Sequence, residues 1–206
     1  MKPTVLVFWL ALLLPGLSAC GVELVGGAER GEVEATMTDD PSSDQPSPSR
    51  APAPSMSRAP AVSEQIVPIE GTVSADLAVA LVAAGEATQV TTGTVTGQVR
   101  IASSDRDVLG NRRVVVDVYP TVRLTFTRIE AQVETGVGAP VSVEVDMRGS
   151  PLVIDAPVQV EVREDGVATI EVDLNAAVWL ALADPVTGLV PRAAFASAIA
   201  VRAGRR

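Results

Sequence analysis

The chain contains no histidine, one cysteine and one lysine, and aromatic residues are scarce at 3%, which leaves any core to Val, Leu, Ile and Ala. Without histidine, the usual Ser-His-Asp and Cys-His arrangements are excluded, and with them nearly all zinc, copper and non-haem iron sites. The P-loop, the dinucleotide glycine fingerprint, the GxSxG elbow and the SxxK motif are absent as well. No cofactor is implied. A formal net charge of -9 argues against nucleic acid, because a phosphate-binding surface needs clustered Lys or Arg. Arg112-Arg113 and Arg205-Arg206 are pairs rather than patches. Arginine in place of lysine, beside abundant Ala, Val, Gly and Pro, is the composition of a GC-rich bacterial genome and carries no mechanism.

The single cysteine, Cys20, closes the sequence Leu17-Ser18-Ala19-Cys20. Before it stand Lys2, an apolar run from Val5 to Leu14, and the helix-breaking pair Pro15-Gly16. A run of that length is too short to span a bilayer, which takes ~20 residues, and has the form of a secretory signal. The segment resembles the signal peptide and lipobox of bacterial lipoproteins. The resemblance implies cleavage before Cys20, diacylglycerol on its thiol, acylation of the new N-terminus, and attachment to a membrane in the cell envelope. Acylation also accounts for an unpaired thiol outside the cytoplasm. Gly21 stands where enterobacterial lipoproteins carry an inner-membrane retention aspartate, which points toward the outer membrane.

Three regions follow: a signal peptide at 1–19, a lipidated N-terminus and tether at 20–65, and a globular body at 66–206. Pro41 to Ala61 is rich in Pro, Ser and Ala with almost nothing to bury, a composition that predicts disorder. As an extended spacer at ~3.1 Å per residue, the tether would place its body on the order of 100 Å from the lipid.

From Ile66 onward the pattern is valine-rich with period two. Val141, Val143, Val145 and Met147 alternate with polar residues, as do Val158, Val160 and Val162, and then Ala168, Ile170, Val172 and Leu174. Each set predicts a strand with one dry face. Asp165-Gly166 predicts a tight hairpin joining the last two, with glycine supplying positive φ. Further strands are expected at 88–101, 112–119 and 121–134. In the last, the apolar parity changes after Phe126, which predicts a bulge near Thr127-Arg128. Gly93 and Gly97 mark bends or close backbone approach. Residues 74–85 and 191–201 fit either helix or strand, and the β-rich surroundings favour strand for both. The expected fold is all-β, an antiparallel sandwich or open barrel.

The segments VRLTFTRIEAQVE at 122–134 and IEVDLNAAVWLAL at 170–182 also make the second half similar to a β-rich domain of unknown function found in secreted bacterial lipoproteins. That resemblance implies a fold and no activity.

Candidate chemistry is sparse. Asp105, Asp107 and Gly110 match the first, third and sixth positions of an EF-hand-like loop. Leu109 and Val116 occupy the fifth and twelfth, where ligand oxygens belong, so a solvated hairpin loop is the stronger expectation. Trp179 is a candidate ligand platform, with burial in the core or at its rim the commoner fate of so large an aromatic. Asp117, Asp146, Asp155, Glu171 and Asp173 would be available to a carboxylate hydrolase, although alternation assigns most of them to wet strand faces. No residue is assigned a catalytic role. These features favour a lipid-anchored, non-catalytic β-domain that binds or supports an envelope protein or polysaccharide. The alternatives are a carboxylate-based hydrolase acting on an extracellular polymer and a small-ligand carrier.

Overall fold

The structure is a computed structural model that describes residues 28–41, 69–85, 88–90, 92–136 and 138–206, the backbone alone at 88–90. Cys20, the signal segment and the Pro/Ser-rich stretch lie outside the described residues. The strands are β1 (Arg30–Asp39), β2 (Glu70–Val82), β3 (Thr88–Val90), β4 (Val95–Arg100), β5 (Ser103–Val115), β6 (Asp117–Tyr119) and β7 (Thr121–Glu134). They continue with β8 (Val141–Val145), β9 (Leu152–Ala156), β10 (Val160–Val162), β11 (Val167–Asp173), β12 (Leu189–Val190) and β13 (Ala200–Arg205). Two short helices, α1 (Ala176–Leu180) and α2 (Arg192–Ala198), interrupt the end of this order.

The fold is an all-β sandwich. One sheet runs β13-β11-β1-β5 and the other β12-β8-β7-β2-β3, with β4 also on β2 and β9 on β7. A two-stranded sheet pairs β10 with β6. The sheets are mixed, because β1 runs parallel to β11 and β12 parallel to β8. One core joins them. Gly97 of β4 shows how closely they meet: a β-carbon there would lie 2.7 Å from Met37 Cε of β1 and 2.7 Å from Leu109 Cδ2 of β5. At Gly97 the neighbours are side chains of the facing sheet rather than a second backbone; at Gly93 an added β-carbon would meet nothing.

The largest departure from the sequence reading is β1. The composition of residues 30–39 places them in the tether, yet in the structure they form a strand with neighbours on both sides. Val33, Ala35 and Met37 are fully buried, while Glu32 and Glu34 between them keep partial exposure. The charged alternates made the segment look like solvated chain, but period two is the signature of a strand with one dry face. Burying Val33 and Met37 contributes about 1.5–3 kcal/mol each. The body therefore begins before the Pro/Ser-rich stretch, which runs between two strands of the same sandwich.

The remaining expectations divide. Residues 74–85 are strand through Val82, as favoured. The bulge falls where parity placed it: Asp76 pairs with Arg128 and Leu77 with Phe126, leaving Thr127 as the extra residue. The span 88–101 is two strands, and 112–119 divides between the end of β5 and β6. At 191–201 the structure has α2 followed by β13, correcting the strand assignment. Ala193, Ala194, Ala196 and Ala198 are strong helix formers, Pro191 suits the helix start, and Phe195 and Ala198 bury one helical face. The 157–174 hairpin is also corrected. Chain reversal occurs at Glu164-Asp165, but β10 pairs with β6, because both edges of β11 are taken by β1 and β13. Gly166 is not among the positive-φ residues.

The end of β1 is closed by Asp39. Its nearly buried carboxylate accepts the Ala102 N–H on Oδ2 and the Ala176 N–H on Oδ1, each at 2.6 Å. Ala102, at φ 53°, turns β4 into β5, and Ala176 opens α1. One side chain thus joins both sheets' connections to the central strand.

Cleavage at an engineered protease site beside Arg50 should leave the N-terminal piece bound. Both fragments should co-elute on gel filtration and part only in denaturant; separation of the native fragments would refute the central placement of β1. Asp39→Asn keeps one carbonyl acceptor where two oxygens are needed. It should lower stability by about 1.5–3 kcal/mol, the range for a hydrogen bond to a charged group. An unchanged denaturation midpoint would show that the two N–H contacts contribute nothing.

Candidate functional site

Where β11 ends, Asn175 adopts a left-handed conformation (φ 46°, ψ 52°) and redirects the chain into α1. Asparagine tolerates this geometry better than most residues. Its Nδ2 donates to the Ala198 carbonyl, fastening α1 to the end of α2. Trp179, one turn on, is fully buried, and its Nε1–H donates to the Leu174 carbonyl at 3.0 Å. Its ring meets Phe195 of α2 edge-on with centroids 5.5 Å apart, and Phe195 meets Phe126 of β7 in the same manner at 5.2 Å. Such pairs contribute ~0.5–1.5 kcal/mol each beyond burial. Trp179 is therefore an anchor of the core and is not available as a ligand platform.

This anchoring leaves the opposite side of α1 in solvent. Val178 of α1 is 47% exposed, and Leu182, in the turn that follows the helix and bonded through its N–H to the Trp179 carbonyl, is 55% exposed. Val186 is 90% exposed, and Leu189 also reaches solvent. The loop carrying them is ordered. The Asp184 carboxylate accepts the N–H groups of Val186 and Thr187, both at 2.8 Å. The Asp184 backbone exchanges two hydrogen bonds with Gly188 and Leu189, and Gly188 adopts φ 68° where a side chain would be strained. Leu189 and Val190 then dock on β8. The result is a hydrogen-bonded corner with exposed apolar side chains. The sequence reading missed it, although the Asp184…Gly188 turn residues were visible.

A cleft of about 530 Å3 opens beside the start of β2, the β4–β5 turn and the end of β7. Glu70, Arg100 and Glu134 line it together with Ile69, Ile101 and Ala102. It lacks the continuous apolar lining of a small-ligand carrier.

The predicted Asp105–Asp107 loop is a correction: these residues lie within β5 and pair with β1, Arg106 opposite Thr38 and Asp107 opposite Met37, although Ser104 to Arg106 are all exposed. Asp105 is held below the usual carboxylate range by its hydrogen bonds from Arg100 and then Ser103, and Asp107 accepts the Gln98 N–H. Among the described residues, no group of three or more His, Cys, Asp and Glu is placed to hold a metal ion. The hydrolase candidates are scattered. Asp155 of β9 pairs with Arg123 through two bonds of 2.7 and 2.9 Å. Asp146 pairs with Arg148, and Asp117 accepts the Val118 N–H. Glu171 and Asp173 do share a strand, but Glu171 contacts Arg106 and Arg202, and Asp173 accepts the Asn175 N–H and lies 3.6 Å from Arg202. A general acid needs a raised pKa. Glu130, Asp155 and Asp184 instead shift down, through hydrogen bonds from Ser142, Arg123 and the Thr187 N–H in turn.

Asp184 yields a pH test of the corner. Its folded pKa is depressed by the Thr187 and Val186 N–H groups, so the stability it contributes is present above the unfolded value near ~3.9 and is lost as pH falls through the folded one. Carboxyl NMR should find its midpoint below that of unstructured aspartate, and Asp184→Asn should reduce the acid-side loss of stability. A midpoint at or above the ordinary value would refute the turn geometry.

No family model, curated protein or solved structure matches the chain.

Proposed function

We propose that this chain is a lipoprotein of the bacterial cell envelope. Cys20 carries the lipid, the outer membrane is the site of attachment, and the sandwich is a non-catalytic binding module. The Leu17–Cys20 lipobox supports the anchor, and Gly21 after it supports the outer membrane. The observation that carries the binding role is the apolar corner of Val178, Leu182, Val186 and Leu189 on an ordered loop. Exposed apolar side chains gathered on one hydrogen-bonded loop suit a protein-recognition surface. The partner class best matched to them is another envelope protein with an apolar recess. The carboxylates considered for hydrolysis are engaged by neighbouring arginines or backbone N–H groups, which supports structural roles for them.

The intact lipoprotein, cross-linked in native envelopes, should capture a discrete partner. Leu182→Asp with Val186→Asp should abolish that capture while shifting stability by no more than about 0.5 kcal/mol, as expected for surface positions. Capture that survives the double change, with the fold intact by circular dichroism, would overturn the binding role of this corner. Intact mass of the membrane fraction should show a lipidated chain beginning at Cys20, and Cys20→Ser should release it.

A further inference from the structure

The placement of β1 changes what lies between lipid and body. Nine residues, Gly21 to Glu29, separate Cys20 from the first strand at Arg30. The Pro/Ser-rich stretch contributes nothing to this distance, because it follows β1 and returns to β2 in the same sandwich. Whatever path the intervening chain takes, ten Cα–Cα steps reach at most about 36 Å. A relaxed flexible chain of that length spans roughly 18 Å.

Register along β1 gives the body two distinguishable ends. At its start, Arg30 lies opposite Val115 and Glu32 opposite Val167, beside the Glu164–Gly166 turn. The backbone N–H of Arg206 donates to the Val167 carbonyl, so that residue sits here too. At its finish, Thr38 lies opposite Asp173 and Asp39 fastens α1, which leads into the apolar corner. A ten-residue strand is about 33 Å long. Turning the apolar corner toward the lipid would require the intervening chain to stretch almost to its limit, with a loss of entropy that nothing at the Arg30 end offsets.

We infer that the Arg30 end of the sandwich faces the lipid surface and that the Val178–Leu189 corner points away from it. The inference rests on the proposed lipidation of Cys20. The occupant of the Arg30 end is the headgroup layer of the anchoring membrane. Its exposed side chains there are of both signs, Arg30, Arg113 and Arg163 beside Glu164 and Asp165, a composition suited to zwitterionic headgroups without insertion. The apolar corner, held outward, is free for a partner that is not the anchoring membrane.

The test uses the full lipidated chain in phosphatidylcholine vesicles carrying acceptor-labelled headgroups. Cys20 is consumed by lipid, so Asp165→Cys and Val186→Cys each introduce one thiol for a donor dye. Transfer from Asp165 to the headgroups should be severalfold more efficient than from Val186. Inserting about twenty Gly/Ser residues between Gly21 and Glu29 should remove most of that difference, because the longer chain lets the body tumble. Equal transfer from both labels in the lipidated parent, or a difference that survives the insertion, would overturn the orientation. Mass measurement on the same samples separates the two ideas: a bare Cys20 would refute the anchor, whereas a lipidated chain with equal transfer refutes the orientation alone.

Discussion

The rest of the sandwich depends on the seating of β1 between β11 and β5. In its sheet, β1 joins two strands that lie far from it in sequence, β11 on one side and β5 on the other, and supplies the ladder on which both rest. Its start is held sterically. A β-carbon at Gly31 would lie 2.1 Å from the Arg163 carbonyl oxygen, so backbone passes against backbone where the small β10–β6 sheet meets the larger one. Its finish is held electrostatically, by the two short bonds to Asp39. Between them, Met37 fills the space left by Gly97 on the facing sheet. Each device fails without β1, while β13 rests on β11 in turn.

Much of this was legible in the sequence because period-two alternation reports burial directly. The strand at 121–134 and its parity change identified both a central strand and its bulge. The same rule applied to Val33, Ala35 and Met37 would have found β1, but two glutamates and the neighbouring low-complexity stretch dominated the reading. Pairing was less legible than strand content. Asp165-Gly166 marks a reversal of the chain without determining which strands pair, because a parallel neighbour from far away in sequence had already claimed the edge of β11. At 191–201, parity of Phe195, Ile199 and Val201 competed with alanine-rich helix propensity, and propensity prevailed because a short helix buries Phe195 and Ala198 while leaving Arg192 to bond the carbonyls of Met147, Ser150 and Pro151. The candidate site was harder still, since exposure of Val178 and Leu182 follows from which face Trp179 takes into the core.

The charged residues act mostly on one another. Glu130 of β7 stands directly opposite Glu144 of β8, a like-charge pairing that weakens a ladder. Arg128, Gln132 and Ser142 all donate to the Glu130 carboxylate and offset the repulsion, which is also why its pKa falls. On the other sheet, Arg106 and Arg202 converge on Glu171. Exposed pairs of this kind contribute ~0–1 kcal/mol each, far less than the core beneath them. Where an arginine does hold a carboxylate below its ordinary pKa, as Arg123 does for Asp155, that group makes a poor proton donor near neutrality.

The two ends of the body therefore have opposite character. The Arg30 end is polar and of mixed charge, and nine residues join it to Cys20. The other end builds its exposed apolar corner on a buried aromatic trio and an Asp39 clasp. The hydrogen-bonded structure of that corner reduces the ordering cost of association, since Asp184 and Gly188 hold the loop before any partner arrives. With the proposed lipid on Cys20, a short connection at the polar end would turn that structure into direction: a folded body on a short leash presents one surface, whereas the same body on a long one presents them all. Under the proposed lipidation of Cys20, the placement of a single strand ahead of the Pro/Ser-rich stretch would decide which face meets the membrane and which meets a partner.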